Sequence, residues 1–85
     1  MENYAPSLRE LFGIRLRSIR LSRKMSQEQF AELLDISVDF LSLIERGINA
    51  PSFENLEAFS NRLHIPVSDL FTFEGPHELP RTDLL

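Results

Sequence analysis

Apolar residues along this chain recur in threes and fours. Leu8, Leu11, Phe12, Leu16 and Ile19 follow Pro6-Ser7 at that spacing and predict an amphipathic helix ending near Arg23-Lys24. Ser26, with Gln29 three residues on, has the form of a capping box, and Phe30, Ala31 and Leu34 supply the stripe of a short second helix. Asp35-Ile36 breaks the pattern. Ser37 is the next N-cap candidate; behind it Phe40, Leu41 and Ile44 point inward, and Gly47 supplies a stop. This places a third helix from about Ser37 to Arg46. Asn49-Ala50-Pro51-Ser52 reads as a loop ending in another cap, with Asn55 at the third helical position and Leu56, Phe59 and Leu63 in helical register. Ile65-Pro66 interrupts, and Ser68 is placed to cap a last turn containing Leu70 and Phe71. His64, at the end of the fourth helix, sits where a histidine side chain commonly caps carbonyls. No stretch alternates with period two long enough to form a strand. The expectation is an all-α domain of five helices over residues 8–73, an N-terminal extension over 1–7 and a flexible C-terminal tail over 74–85, where Gly75, Pro76 and Pro80 stand among mixed charges.

The link between the second and third helices is only about three residues, so two short helices must cross sharply rather than run antiparallel. A third helix held by Leu41 and Ile44 leaves Val38, Asp39, Ser42, Leu43 and Arg46 outward. Val38 and Leu43 are apolar on that outer side. They either enter a groove or cover another segment or a second copy.

Composition narrows the possibilities. Eighty-five residues with 42% hydrophobic content are enough for one domain with its own core. The chain has no cysteine, which excludes disulfides and thiolate chemistry. No apolar run could span a bilayer, and Met1 to Ser7 does not open a signal peptide, so the cytoplasm is the expected compartment. The two histidines, His64 and His77, lack metal-ligand spacing; Glu54 and Glu57 read as solvated charge, and no nucleophile with its base can be assembled. Neither an enzyme, a metal nor a cofactor is expected, and no room is left for a ligand-sensing domain.

Charge is the one global property that points elsewhere. The net charge of -4 disfavours a phosphate partner. Yet Arg9, Arg15, Arg17, Arg20, Arg23 and Lys24 crowd the first 24 residues against Glu2 and Glu10 alone. Such a face either docks on nucleic acid or merely solvates the outside of a helix.

Gly13-Ile14-Arg15-Leu16-Arg17-Ser18-Ile19-Arg20, Ser26-Gln27-Glu28-Gln29-Phe30-Ala31, Ile36-Ser37 through Ile44-Glu45-Arg46-Gly47, Pro51-Ser52, Leu56 and Ile65-Pro66-Val67-Ser68-Asp69-Leu70-Phe71 fall in a familiar order. On these stretches residues 13–71 resemble the lambda-repressor-like helix-turn-helix domain of phage repressors, Cro proteins and xenobiotic-response-element-type bacterial regulators. The resemblance implies a regulator that binds double-stranded DNA as a homodimer on a two-fold-related operator, with the third helix in the major groove. It places Ser37, Val38, Asp39, Ser42 and Leu43 at base-facing positions, and Gln27, Arg46 and the backbone around Asn49 on phosphate. The alternative for Gln27 is a plain neighbour of the capping box. Arg20 and Glu45 match an ion pair between the first and third helices. Asp35 and Lys24 stand where the family has glycine, so both are expected in a left-handed backbone conformation, at more strain for Lys24. The reading helix has few donors. Asp39 can accept from a cytosine amino group, and Val38 and Leu43 can pack on thymine methyls; otherwise specificity comes from DNA shape. Phe71 and Phe73 are the expected dimer surface, unless Phe73 folds back on its own domain. A protein-protein adaptor or an antitoxin on the same fold, with a protein partner, is the alternative function.

Overall fold

The computed structural model describes residues 6–73; the expected tail over 74–85 and most of the extension over 1–7 lie outside the described residues. Within them the chain is all-helical: α1 Leu8–Ser22, α2 Gln27–Leu34, α3 Val38–Glu45, α4 Phe53–Leu63 and a final 3-10 helix, Val67–Phe71. The fifth element is thus a single tight 3-10 segment and not an α-helix. Ser68 lies inside it, and Pro66 precedes it with no side-chain cap.

Serine begins every α-helix. Ser7, Ser26, Ser37 and Ser52 each accept the backbone N–H three residues on. In α1, α2 and α4 the side chains of Glu10, Gln29 and Asn55 bond back to the cap, completing capping boxes. Each such cap contributes about 1 kcal/mol relative to alanine.

The four α-helices also end alike. Lys24, Asp35, Gly47 and His64 adopt φ of 59°, 61°, 76° and 59°. The following N–H, of Met25, Ile36, Ile48 and Ile65, bonds the carbonyl five residues back at 3.3, 3.0, 2.9 and 3.2 Å. This is the Schellman arrangement, which satisfies carbonyls that a helix end leaves open. His64 therefore closes α4 through its backbone, not through its imidazole. Met25, Ile36 and Ile65 then pack against the core. Only one of the four left-handed positions is glycine, so the other three hold strain of roughly 1–2 kcal/mol each.

Phe12, Leu16 and Ile19 from α1, Phe30, Ala31 and Leu34 from α2, Leu41 and Ile44 from α3, Phe59 and Leu63 from α4 and Leu70 form one core. α1 crosses α3 at Gly13. A methyl there would collide with the carbonyl oxygens of Ile44 and Glu45, the latter at 2.7 Å. Glycine lets the two backbones touch and so fixes how far α3 stands from the body of the domain.

Candidate nucleic-acid interface

α2 and α3 are eight residues each, joined through Asp35, Ile36 and Ser37. With Asp35 left-handed, the chain leaves α2, turns through Ile36 and enters α3 at the Ser37 cap within three residues. Leu41 and Ile44 are fully buried, which holds one side of α3 inward. Periodicity then turns the opposite side out. Ser37, Val38, Asp39 and Arg46 are exposed, and Ser42 and Leu43 are half-buried. Leu43 is thus less open than the pattern of apolar positions predicts.

Below this outward row lies a buried polar node. Arg20 Nε donates to Glu45 Oε2 at 2.8 Å, and a terminal guanidinium nitrogen donates to Oε1 at 3.0 Å. The same guanidinium donates to the Met25 carbonyl at 3.0 Å. Both charged side chains are nearly sealed, with 10% and 3% of their surface exposed. The hydrogen bond that Arg20 donates to Glu45 raises the Arg20 pKa further above its ordinary value, against the opposing effect of burial. Gln27 joins the node by donating from Nε2 to Glu45 Oε1 at 3.0 Å. One of its two amide hydrogens is thereby fixed, and the other is left for an outside acceptor. Gln27 is also the first residue of α2, where backbone N–H groups and the helix dipole favour an anion.

At the far end of α3 the backbone offers less than the sequence implies. The amides of Gly47, Ile48 and Asn49 already bond Ile44, Leu43 and Leu43 carbonyls. What this end of the helix has left to offer an acceptor is side chains, those of Arg46 and Asn49. Arg46 Nε makes only a long 3.4 Å bond to the Ser42 carbonyl within its own helix, so its charge remains available.

The other arginines are placed differently. Arg9 reaches the Ile48 carbonyl after α3, Arg15 the Asp69 carbonyl in the 3-10 helix, Arg23 the Leu63 carbonyl of α4 and Arg62 the Leu33 carbonyl of α2, at 3.5, 2.8, 2.7 and 3.3 Å. With Arg20 on Met25 O, five arginines meet carbonyls at or near the ends of five helices. Here cations complement the negative end of the helix dipole and the open carbonyls together. The basic stretch is therefore largely an internal clasp. Sequence spacing could not show this, because each donor and acceptor come from different elements. Among the described residues Arg17 and Lys24 make no side-chain hydrogen bond. Gly13 carried a readable signal, since a glycine inside a helix costs roughly 1 kcal/mol and flags a close approach.

Phe71 and Phe73 pack on their own domain: Phe71 lies 5.2 Å from Phe12 between ring centroids, and Phe73 meets Phe71 edge-on at 6.2 Å. Both remain half-buried. No helix of the described residues is long and apolar enough to cross a membrane, and no group of three His, Asp or Glu residues among them could hold a metal ion.

Residues 16–70 match the helix-turn-helix family profile. The chain belongs to the helix-turn-helix family. It is 41% identical over 68 residues to the control protein C.BamHI of Bacillus amyloliquefaciens, covering 79% of this chain and 84% of that protein. Among solved structures, the clp gene regulator ClgR of C. glutamicum superposes with a TM-score of 0.73 at 33% identity, over 82% of this chain and 90% of that one. The restriction-modification controller protein C.AhdI of Aeromonas hydrophila gives 0.69 at 32% identity, over 74% of this chain and 96% of that one.

Proposed function

We propose that this helix-turn-helix protein is a cytoplasmic homodimer that places α3 of each copy in the major groove of a two-fold-related duplex DNA site. The chain is a DNA-binding transcriptional regulator. The observation that carries the finer reading is the outward row of Ser37, Val38, Asp39, Ser42 and Leu43 on a helix whose other side is locked by Gly13 and the Arg20–Glu45 pair. A rigidly held helix with one free side can present side chains to base edges without ordering them at the moment of binding. Gln27 with the N-terminus of α2 grips phosphate on one flank, and Arg46 with the Asn49 side chain does so on the other. Asp39 accepts from a cytosine amino group, and Val38 and Leu43 rest on thymine methyls. One helix of eight residues covers few base pairs, so pairing two copies, at a surface including Phe71 and Phe73, doubles the contact.

Selection of bound sequences from a random duplex pool tests this reading. The expected product is a pair of inverted half-sites about one helical turn apart, ~10 base pairs centre to centre. Asp39→Ala should relax preference at one base pair in each half-site by about 1–3 kcal/mol. A uniform loss over all sequences would instead assign specificity to DNA shape. An adaptor or antitoxin that no longer uses DNA would show no salt-dependent duplex binding at all, and that result would sink the proposal.

A further inference from the structure

The largest exposed apolar residue on the described surface is Phe53, the first residue of α4, with 85% of its surface open. It stands about a quarter-turn off the Leu56, Phe59 and Leu63 stripe, so no refolding of α4 within one copy would bury it. At it opens an apolar groove of about 190 Å³ whose lining includes Leu8, Arg9, Phe12, Leu56, Phe71 and Phe53 itself. Leu8 is also 61% exposed. Single exposed apolar residues are ordinary; a phenylalanine knob next to an apolar hollow is not.

We propose that the two features are one self-complementary interface, in which Phe53 of each copy enters the Leu8–Phe12–Phe71 groove of the other about a two-fold axis. This rests on the homodimer of the preceding reading and specifies its contact. A two-fold interface joins the same patch on both copies, so a knob and a hollow on adjoining ground fill one another twice. The hollow is smaller than the roughly 300–1,000 Å³ of small-molecule pockets, which argues for a side chain as its occupant. Charge agrees. Glu57 lies one turn from Phe53 on the exposed side of α4, while the exposed Arg9 borders the groove. Exchange of the knobs brings the Glu57 of each copy toward Arg9 of the other. The groove is also bordered by Asn49, which continues from the end of α3, so this interface would adjoin the ends of the reading helices.

Sedimentation of the full 85-residue chain without DNA reads the contact directly. Phe53→Asp should weaken the dimer by about 100-fold or more, since a buried aromatic anchor is lost at both symmetric positions. Its melting temperature in dilute solution should not fall, because the side chain is open in the single copy. Arg9→Glu and Glu57→Arg should each weaken assembly a few-fold, and the double variant should restore it. A Phe53→Asp chain that dimerises like the parent overturns the proposal. So does a parent that stays monomeric at about 100 µM, or one that forms open chains longer than two copies. Failure of the double variant to recover removes the Arg9–Glu57 pairing. The two readings fail separately: a dimer lost at Phe53 in a chain that binds no duplex keeps the interface and rejects DNA, whereas duplex binding with an intact Phe53→Asp dimer does the reverse.

Discussion

α1 carries four arginines, Arg9, Arg15, Arg17 and Arg20, and Arg23 caps it; α3 carries Asp39 and Glu45, with Arg46 at its end. By charge alone α1 would be the nucleic-acid element. In three dimensions most of those cations are engaged inside the domain. Four of the five arginines of α1 and its cap donate to carbonyls elsewhere in the domain, and Arg20 also holds Glu45. α3, poorer in cations, has Val38 and Asp39 exposed on its outward side. The difference teaches that a cluster of cations in sequence reports helix ends in need of donors as readily as it reports phosphate. Among the described residues, the cations of these two helices and their ends left without a partner in another element are Arg46, Arg17 and Lys24.

The strongest test of this division removes the node joining the two helices. Arg20→Met leaves the Glu45 carboxylate buried with only the Gln27 amide, and it frees the Met25 carbonyl. Removing one partner of a buried pair costs about 3–5 kcal/mol, a large part of the stability of a domain this size. Chemical denaturation of the variant should show this loss, with DNA binding lost only in proportion to unfolding. A variant of parental stability that no longer bound duplex would make Arg20 a DNA contact and collapse the distinction between α1 and α3.

A matched pair of alanine substitutions sharpens the same contrast at smaller cost. Arg23→Ala removes a 2.7 Å bond to the Leu63 carbonyl and should lower stability by about 1–3 kcal/mol while leaving the salt dependence of duplex binding unchanged. Arg46→Ala should do the opposite. Stability should stay within about 0.5 kcal/mol, whereas affinity should fall on all sequences alike and the salt slope should drop by about 1. Thermal melts and binding isotherms at several salt concentrations check both. Equal slopes lost from the two variants would return α1 to the DNA face.

These contrasts also mark how much of the molecule the chain discloses. The serine caps at Ser26, Ser37 and Ser52, the short α2–α3 link and the inward stripes were legible because each depends on residues within one turn of each other, whereas the Ser7 cap was not singled out. The left-handed backbone at Lys24 and Asp35 was expected only through the family resemblance, which places glycine at both positions. His64 escaped, since its imidazole suggested a side-chain role while the fold uses its backbone. The last helix was read as the same kind as the others, but Val67–Phe71 has too few residues to establish α-helical bonding and tightens to 3-10. The clasps of Arg9, Arg15, Arg23 and Arg62, the Gln27–Glu45 bond and the groove beside Phe53 were not legible, because each joins residues distant in sequence. Of the candidate site, its outward positions could be read from period; the partners of its charged groups could not.

The smallest effect concerns the junction at which α1 stops. Lys24 holds φ of 59° and its ammonium makes no hydrogen bond among the described residues. Lys24→Gly should relieve about 1–2 kcal/mol of left-handed strain, offset by about 0.4–1 kcal/mol of added freedom in the unfolded chain. The net gain, between about 0 and 1.6 kcal/mol, should raise the melting temperature by up to about 10 °C. Asp35→Gly should gain less, because aspartate tolerates this conformation better. Lys24→Gly has a second readout that bears on α1 directly. An unchanged salt slope for duplex binding keeps the end of α1 off the DNA, so that Lys24 matters only to folding. A slope reduced by about 1 alongside the higher melting temperature would instead place this one cation on phosphate, and α1 would contribute to binding through its single unclasped end.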